Sequence, residues 1–347
     1  MKRINDKHKI RNTEIKNRIC VPPMHMSFVS DEDGFINDKA IEHYMNFAKG
    51  GAGLIIQEAT CIHPQGKLSL RQIGIWKDEH IEGLKRITEA VHKEGCPIVV
   101  QLHHAGLMAV NEEVVCPSYY EKSSKKVKEL TKEEIESLIQ DFIDAGQRAY
   151  LAGYDGVELH GCHDYLMSQF LCSKVNKRDD EYKDGLNFVY PIIKGIREKT
   201  SDDFIIGIRL GGFEPTLQDG INHAVRLADN GIDFIDVSYG FRPEMEVTCP
   251  KEWKLKDIIY AASEIKKNVH IPVFAVNGIN NPKLANDVLR VSDVDMVDVG
   301  RSHIVDYQWS NKALNGEIPG RCCQCMRCVI GKTPEKCPGR MLLKRNK

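Results

Sequence analysis

The sequence predicts an α/β fold, a closed (β/α)₈ TIM barrel followed by a short Cys-rich tail. Three observations carry this. Eight short β-branched runs alternate with amphipathic helical patterns over about 300 residues, a size that suits such a barrel. Several runs are apolar on both faces, as in Phe204-Ile205-Ile206-Gly207-Ile208, which fits a parallel sheet covered by helices. No run leads into the Gly-x-Gly-x-x-Gly turn that would open a helix in a doubly wound open sheet.

In chain order the strands are expected at Arg18–Val21, Gly53–Gln57, Ile98–Leu102, Gly156–Leu159, Phe204–Arg209, Phe234–Val237, Val273–Val276 and Met296–Val299. Helical periodicity falls near Asp38–Lys49, Asp78–Lys93, Thr131–Leu151, Phe188–Glu198, Thr216–Asn230, Asp257–Lys267 and Asn281–Leu289. Thr131-Lys132-Glu133-Glu134 is a capping box that opens the longest of them. Gly316 and Pro319 mark a boundary, giving a barrel over 1–315 and a tail over 316–347. The tail is too short to bury a core of its own.

Composition narrows the function classes. The 347 residues are 42% hydrophobic and 28% charged, as in soluble globular proteins. A net charge of −1 gives no reason to expect nucleic acid or an anionic membrane as partner. No apolar run is long enough to cross a bilayer. Met1–Lys16 is polar and lacks the apolar stretch of a secretory signal. A cytoplasmic protein is expected, and a homo-oligomer is compatible with this composition. Of twelve cysteines, five crowd together as Cys322, Cys323, Cys325, Cys328 and Cys337. Clustered thiols in a reducing compartment read as metal ligands.

Chemistry in a (β/α)₈ barrel gathers at the C-terminal strand ends. There this sequence puts Pro23, Met24 and His25; Glu58, Ala59 and Thr60; Gln101, His103 and His104; His160, His163 and Tyr165; Arg209; Asn277 and Gly278; and Gly300 and Arg301. Imidazole, amide, guanidinium and phenol groups thus converge on one rim. The loops after the last two strands are a usual place for a phosphate in this fold. Gly278 and Gly300 would let the backbone approach an anion, and Arg301 adds a fixed charge.

These segments resemble the Old Yellow Enzyme family, also called NADH:flavin oxidoreductases. The resemblance runs from Ile15 to about Trp309. It is carried by Ile15-Lys16-Asn17-Arg18-Ile19 with Pro23-Met24, by Glu58-Ala59-Thr60 with Pro64-Gln65-Gly66-Lys67 and Gly74-Ile75-Trp76, and by Gln101-Leu102-His103-His104-Ala105-Gly106. The most specific segment is Tyr154-Asp155-Gly156-Val157-Glu158-Leu159-His160-Gly161-Cys162-His163-Asp164-Tyr165-Leu166, continued by Gln169-Phe170-Leu171 and Asn176-Lys177-Arg178. The resemblance implies FMN across the barrel mouth. Pro23, Met24, Ala59, Gln101 and Arg209 would hold the ring, and Asn277, Gly278, Gly300 and Arg301 would lie about the phosphate. His25 would sit near flavin N5.

It also implies an ene-reductase, in which reduced FMN passes a hydride to the β-carbon of an α,β-unsaturated carbonyl compound, an enone or enoate. His160 and His163 would donate to the carbonyl oxygen and Tyr165 would protonate the α-carbon. As a bare motif His-x-x-His could hold a metal, but no helix carries it and no third ligand is evident. Two departures stand out. Gly106-Leu107 replaces the usual Gly-Arg, and Lys183–Val189 replaces the usual loop after Tyr182. Phe213, Glu214 and Tyr239–Arg242 are expected on the substrate side.

Cys322-x₂-Cys325-x₂-Cys328-x₈-Cys337-Pro338 is similar to ferredoxin-type ligation of a [4Fe–4S] cluster, with a structural zinc as the alternative. Larger relatives, the iron–sulfur 2,4-dienoyl-CoA and enoate reductases, carry a four-cysteine tail here, followed by a module for FAD and a nicotinamide nucleotide. The sequence given stops at Lys347, so electrons are expected either from NAD(P)H directly or from a separate flavoprotein or ferredoxin. Two other functions fit the same fold. One is oxidative demethylation of an amine, against which the paired imidazoles count. The other is an FMN and iron–sulfur electron-transfer subunit, which would not need a proton donor.

Overall fold

The computed structural model describes residues 1–345. Eight parallel strands close a barrel in sequential order. They are β1 (Ile19–Val21), β2 (Leu54–Cys61), β3 (Ile98–His103), β4 (Gly156–Gly161), β5 (Ile205–Gly211), β6 (Phe234–Ser238), β7 (Val273–Ala275) and β8 (Met296–Asp298). The seam pairs Val297 with Ile19. Seven long helices cover the outside: α1 (Asp38–Lys49), α2 (His80–His92), α3 (Lys132–Leu151), α4 (Leu186–Lys199), α5 (Leu217–Asp229), α6 (Asp257–Asn268) and α7 (Pro282–Ser292). Thr131 and Glu134 form the expected capping box, and Thr216 with Asp219 forms a second. Each satisfies helix-end donors that water would otherwise have to solvate.

The barrel interior changes character along its axis. At the N-terminal end it is apolar, built from Cys20, Leu54, Ile56, Val99, Ile205, Phe234, Phe274 and Met296. Phe234 and Phe274 stack at 4.7 Å. Ile10 and Ile15, from a hairpin of His8–Ile10 and Thr13–Ile15, join this layer. Strand side chains alternate, so two residues further on the same faces present Gln101, Asp236 and Asp298. All three are buried.

The strand ends differ from the sequence expectation in two informative places. β2 runs on to Cys61 through a register shift between Gln57 and Thr60. Buried polar side chains hold it there: Tyr154 donates to Gln57 (2.6 Å) and Gln57 to Thr60 (3.1 Å). β7 stops at Ala275 because Asn277 and Gly278 both turn left-handed, with φ of 93° and 77°. The N-terminal hairpin, a parallel ribbon of Glu113–Cys116 with Lys126–Glu129, and short helices at Leu166–Leu171, Arg301–Val305, Trp309–Leu314 and Pro338–Arg345 are additional.

The tail lies against the C-terminal rim. Cys322 N donates to Ser302 Oγ (3.1 Å), and Arg340 Nε to the Ile304 carbonyl (2.7 Å). Ser27 N donates to the Gly331 carbonyl (3.0 Å). Ile330 and Cys337 are buried in the main core. Among the described residues no helix is long and apolar enough to cross a membrane.

Candidate active site

A cavity of about 360 Å³ opens at the C-terminal ends of the strands, within the range of small-molecule sites. Pro23 and Met24 line it from the end of β1, Arg209 from β5, Asn277 and Gly278 past β7, and Gly300 and Arg301 past β8. Seven of the ten residues expected at a cofactor therefore share one wall. The successive left-handed turns at Asn277 and Gly278 bare the backbone there. At Gly300 an added Cβ would stand 3.2 Å from Met24 Sδ. The helix that Gly300 opens has no side-chain cap.

Three expected residues lie off this cavity. His25 bridges Glu58 and Ser69, with Nδ1 2.9 Å from Glu58 Oε2 and Nε2 2.8 Å from Ser69 Oγ. Ala59 is buried, and its carbonyl accepts from Gln72 (2.8 Å). Gln101 points along the barrel interior and donates to Glu158 Oε2 (2.6 Å).

Beneath the cavity is a buried ionic chamber. Arg209 Nε stands 3.0 Å from Asp236 Oδ2, close in distance but poorly aligned for a hydrogen bond. Glu158 and Asp298 share the chamber, and Asp298 also lines the cavity. Burial, reinforced by the neighbouring Asp236 charge, pushes both carboxyls well above the usual range.

A chain of imidazoles reaches the cavity at one end, where His163 and Ser238 line it; His103, His160 and Tyr165 are not among its lining residues. His103 Nδ1 lies 3.0 Å from His160 Nδ1, His160 Nε2 lies 3.3 Å from His163 Nδ1, and His163 Nε2 lies 2.6 Å from Ser238 Oγ. Burial holds all three rings far below the ordinary histidine range, so at neutral pH they are uncharged N–H dipoles. The Tyr165 ring meets His103 at 4.4 Å and His160 at 4.7 Å, edge to face, and burial raises its phenol to about 12. Left-handed backbone at His163 and Asp164 (φ 60° and 68°) makes the turn. It is pinned by Asp164, which accepts from Arg242 N (2.6 Å), Nε (2.8 Å) and Nη2 (2.6 Å).

The sequence placed His103 at the rim without a role; the structure puts it in the imidazole chain. The sequence assigned no role to Ser238 or Cys162. Cys162 corrects the expectation that His160 and His163 lack a third ligand, for its thiol lies within 4.8 Å of donor atoms on both. Burial keeps that thiol protonated, and the ring nitrogens are already engaged. Tyr239 does line the cavity, donating to Asp257 (2.6 Å) and accepting from Asn277 (3.1 Å). Phe213 and Glu214 are wholly buried instead.

The tail reaches the same cavity through Cys322 and Gln324. Among the described residues no three tail thiols bring their sulfurs within 4.8 Å of one another.

Fold and site together define a flavin-type barrel oxidoreductase. Residues 8–318 match the model of the NADH:flavin oxidoreductase / NADH oxidase family, and the chain belongs to that family. It is 36% identical over 341 residues to an NADH oxidase of Thermoanaerobacter brockii, covering 93% of this chain but 52% of the relative. It is 34% identical to an NADPH dehydrogenase of Geobacillus sp. (strain WCH70), covering 87% of this chain and 91% of the relative. A solved 2-naphthoyl-CoA reductase complex superposes with a TM-score of 0.84 at 26% identity, over 92% of this chain and 54% of that one. An old yellow enzyme homologue from Zymomonas mobilis gives 0.78 at 25% identity, over 95% and 98%. The chain therefore spans about half the length of some relatives and nearly all of others.

Proposed function

We propose that this protein is a flavin-dependent NAD(P)H oxidoreductase that reduces the C=C bond of an α,β-unsaturated carbonyl compound. The observation that carries the reading is the neutral chain His103–His160–His163 beside Tyr165, which through His163 shares a cavity with Arg209, Gly278, Gly300 and Arg301. The names of the relatives, NADH oxidase and NADPH dehydrogenase, support NAD(P)H as reductant.

The residues fit FMN. Arg209 keeps a buried Nε without an aligned acceptor, and the bare backbone at Gly278 and Gly300 leaves room for an anion. Pro23 and Met24 would hold the ring, Arg209 its pyrimidine edge, and Asn277, Gly278, Gly300 and Arg301 the phosphate. FMN, when bound, supplies the hydride through N5. The chain's own residues do the rest. His160 and His163 donate N–H bonds to the substrate oxygen, where negative charge develops. Their mutual 3.3 Å contact is the longest in the imidazole chain and is the one exchanged for substrate. Tyr165, whose phenol stays protonated at neutral pH, gives its proton to the α-carbon. His25, held between Glu58 and Ser69, tunes the site from the side.

In this reading Cys322, Cys325, Cys328 and Cys337 hold a [4Fe–4S] cluster. Their spacing in the sequence supports it. The test is an anaerobic preparation with flavin, iron, sulfide and zinc quantified. Flavin absorbance should be bleached by NAD(P)H and restored by cyclohexenone. A colourless protein that binds no added FMN would end the proposal. Zinc in place of iron would overturn the cluster alone.

A further inference from the structure

Charge is distributed very unevenly along this chain. Residues 316–347 hold eight Lys and Arg against two Glu, a net charge of +6, in a chain whose total is −1. Residues 1–315 therefore carry −7. Arg321, Arg327, Lys332, Lys336 and Lys344 are all exposed. None of them has a carboxylate within ion-pair distance among the described residues, whereas most exposed lysines and arginines of helices α2 to α7 do. Apolar side chains lie open in the same segment. Ile318 is 94% exposed, Met326 completely so, and Met341 and Leu342 about half.

This exposure belongs to an anchored segment. Gly320 N donates to Asp306 Oδ2 (2.9 Å), and the Arg340 guanidinium lies 5.1 Å over the Tyr307 ring as well as bonding Ile304. Cys322 and Gln324, within the same segment, line the cavity. A fixed surface with unpaired positive charge and open methionine and isoleucine has the composition of a protein interface: apolar contacts with a charged rim that steers the partner. A solvated face would not need the apolar side chains, and a nucleic-acid face would not need to open onto a redox cavity.

We infer that the tail is the docking surface for a small acidic one-electron carrier protein of the ferredoxin or flavodoxin type, which delivers electrons to the cavity past Cys322. The inference rests on the flavin reading given above. Two encounters oxidise two reduced carriers, and the two electrons with one solvent proton make up the hydride equivalent that an alkene reduction consumes. The positive tail would attract the carrier, and the negative remainder of the chain would repel it, which fixes where it lands.

The experiment uses the full-length holoprotein and an acidic clostridial-type ferredoxin as probe. Calorimetric binding should be measurable at low salt and weaken by about tenfold or more on raising the salt several-fold. The double variant Lys332→Glu/Lys344→Glu, both away from the cysteines, should weaken binding and carrier-driven flavin reduction by about tenfold. Flavin reduction by NAD(P)H, flavin content and iron content should stay unchanged in that variant. Arg327→Glu gives a second, independent reading. Absence of binding, or binding indifferent to salt and to both variants, would overturn the inference. So would equal binding of duplex DNA or anionic vesicles with the same salt dependence. Failure of NAD(P)H and dithionite to bleach the protein would instead sink the flavin reading on which it rests.

Discussion

Arg209 on β5 and Asp236 on β6 are register partners inside the barrel, with Nε 3.0 Å from Oδ2. Glu158 and Asp298 complete the chamber, so three carboxyls surround one guanidinium. Full ionisation would leave a net charge of −2 where an unpaired buried charge costs several kcal/mol. The raised Glu158 and Asp298 carboxyls are the outcome: both are held toward the protonated form, which leaves Asp236 as the counter-charge of Arg209. Asp298→Asn should therefore change stability by no more than about 1 kcal/mol, the asparagine replacing a neutral acid. Arg209→Met should cost about 3–5 kcal/mol, because it strands buried carboxyls without their cation. Urea denaturation of the flavin-free protein measures both. Equal large losses would mean that Asp298 is ionised.

Glu214 offers a pH-dependent counterpart outside the cavity. Ser168 Oγ and Phe241 N donate to its two oxygens at 2.8 and 3.0 Å, yet burial raises its carboxyl to about 8. The unfolded chain ionises this group near the ordinary carboxylate value and the folded chain only near pH 8. The unfolded state thus binds fewer protons across that interval, and stability falls as pH rises from about 4.5 to about 8. Glu214→Gln keeps both contacts and has nothing to ionise. It should be more stable than the wild type at pH 8 by a few kcal/mol at most, on the order of the linkage integral, and equal to it at pH 4.5. Unfolding curves at the two pH values decide this.

Much of this architecture was legible in the residues. All eight strands overlap the β-branched runs that predicted them, because a strand buried on both faces stands out as an apolar run, although β2 continues past Gln57 to Cys61. The N-terminal hairpin was not legible, since its strands, HKI and TEI, are each buried at one residue only and form no apolar run. In the site, residue type announced the histidines and arginines but not their partners. That Gln101 turns to Glu158, or that Ser238 receives His163, depends on register between strands far apart in sequence. The tail's approach to the cavity was hidden for the same reason. Its cysteine spacing suggests a ligand set, but only packing on Ser302 and Ser27 brings Cys322 to the barrel mouth.

The imidazole chain makes a kinetic prediction. His163→Ala removes one donor to the substrate oxygen and should slow alkene reduction about 10²–10³-fold. Tyr165→Phe should slow the same half-reaction about 10²–10⁴-fold. Stopped-flow traces should show flavin reduction by NAD(P)H unchanged in Tyr165→Phe. Because burial holds His103, His160 and His163 far below neutrality, the rate of the alkene half-reaction should show no histidine titration between pH 6 and 8. A clear inflection there would mean that one ring acts as a charged acid.

Gly278 and Gly300 separate backbone strain from cofactor space. Gly278 is left-handed at φ 77°, and its Cβ would meet nothing nearer than Lys256 Cε at 3.9 Å. Gly278→Ala should therefore cost about 1–2 kcal/mol of stability through backbone strain. Gly300 is not left-handed (φ −82°), but its Cβ would crowd Met24 Sδ at 3.2 Å and Pro22 Cγ at 3.4 Å. Met24 is flexible enough to yield, so Gly300→Ala should fold normally. The displaced methionine and the new methyl would both intrude on the wall assigned to the phosphate, weakening FMN by about tenfold, the effect of roughly 1.4 kcal/mol. Quenching of flavin fluorescence reads the affinity, and a thermal melt of the flavin-free protein reads the stability. If Gly300→Ala binds FMN as tightly as the wild type, the phosphate does not lie against that loop.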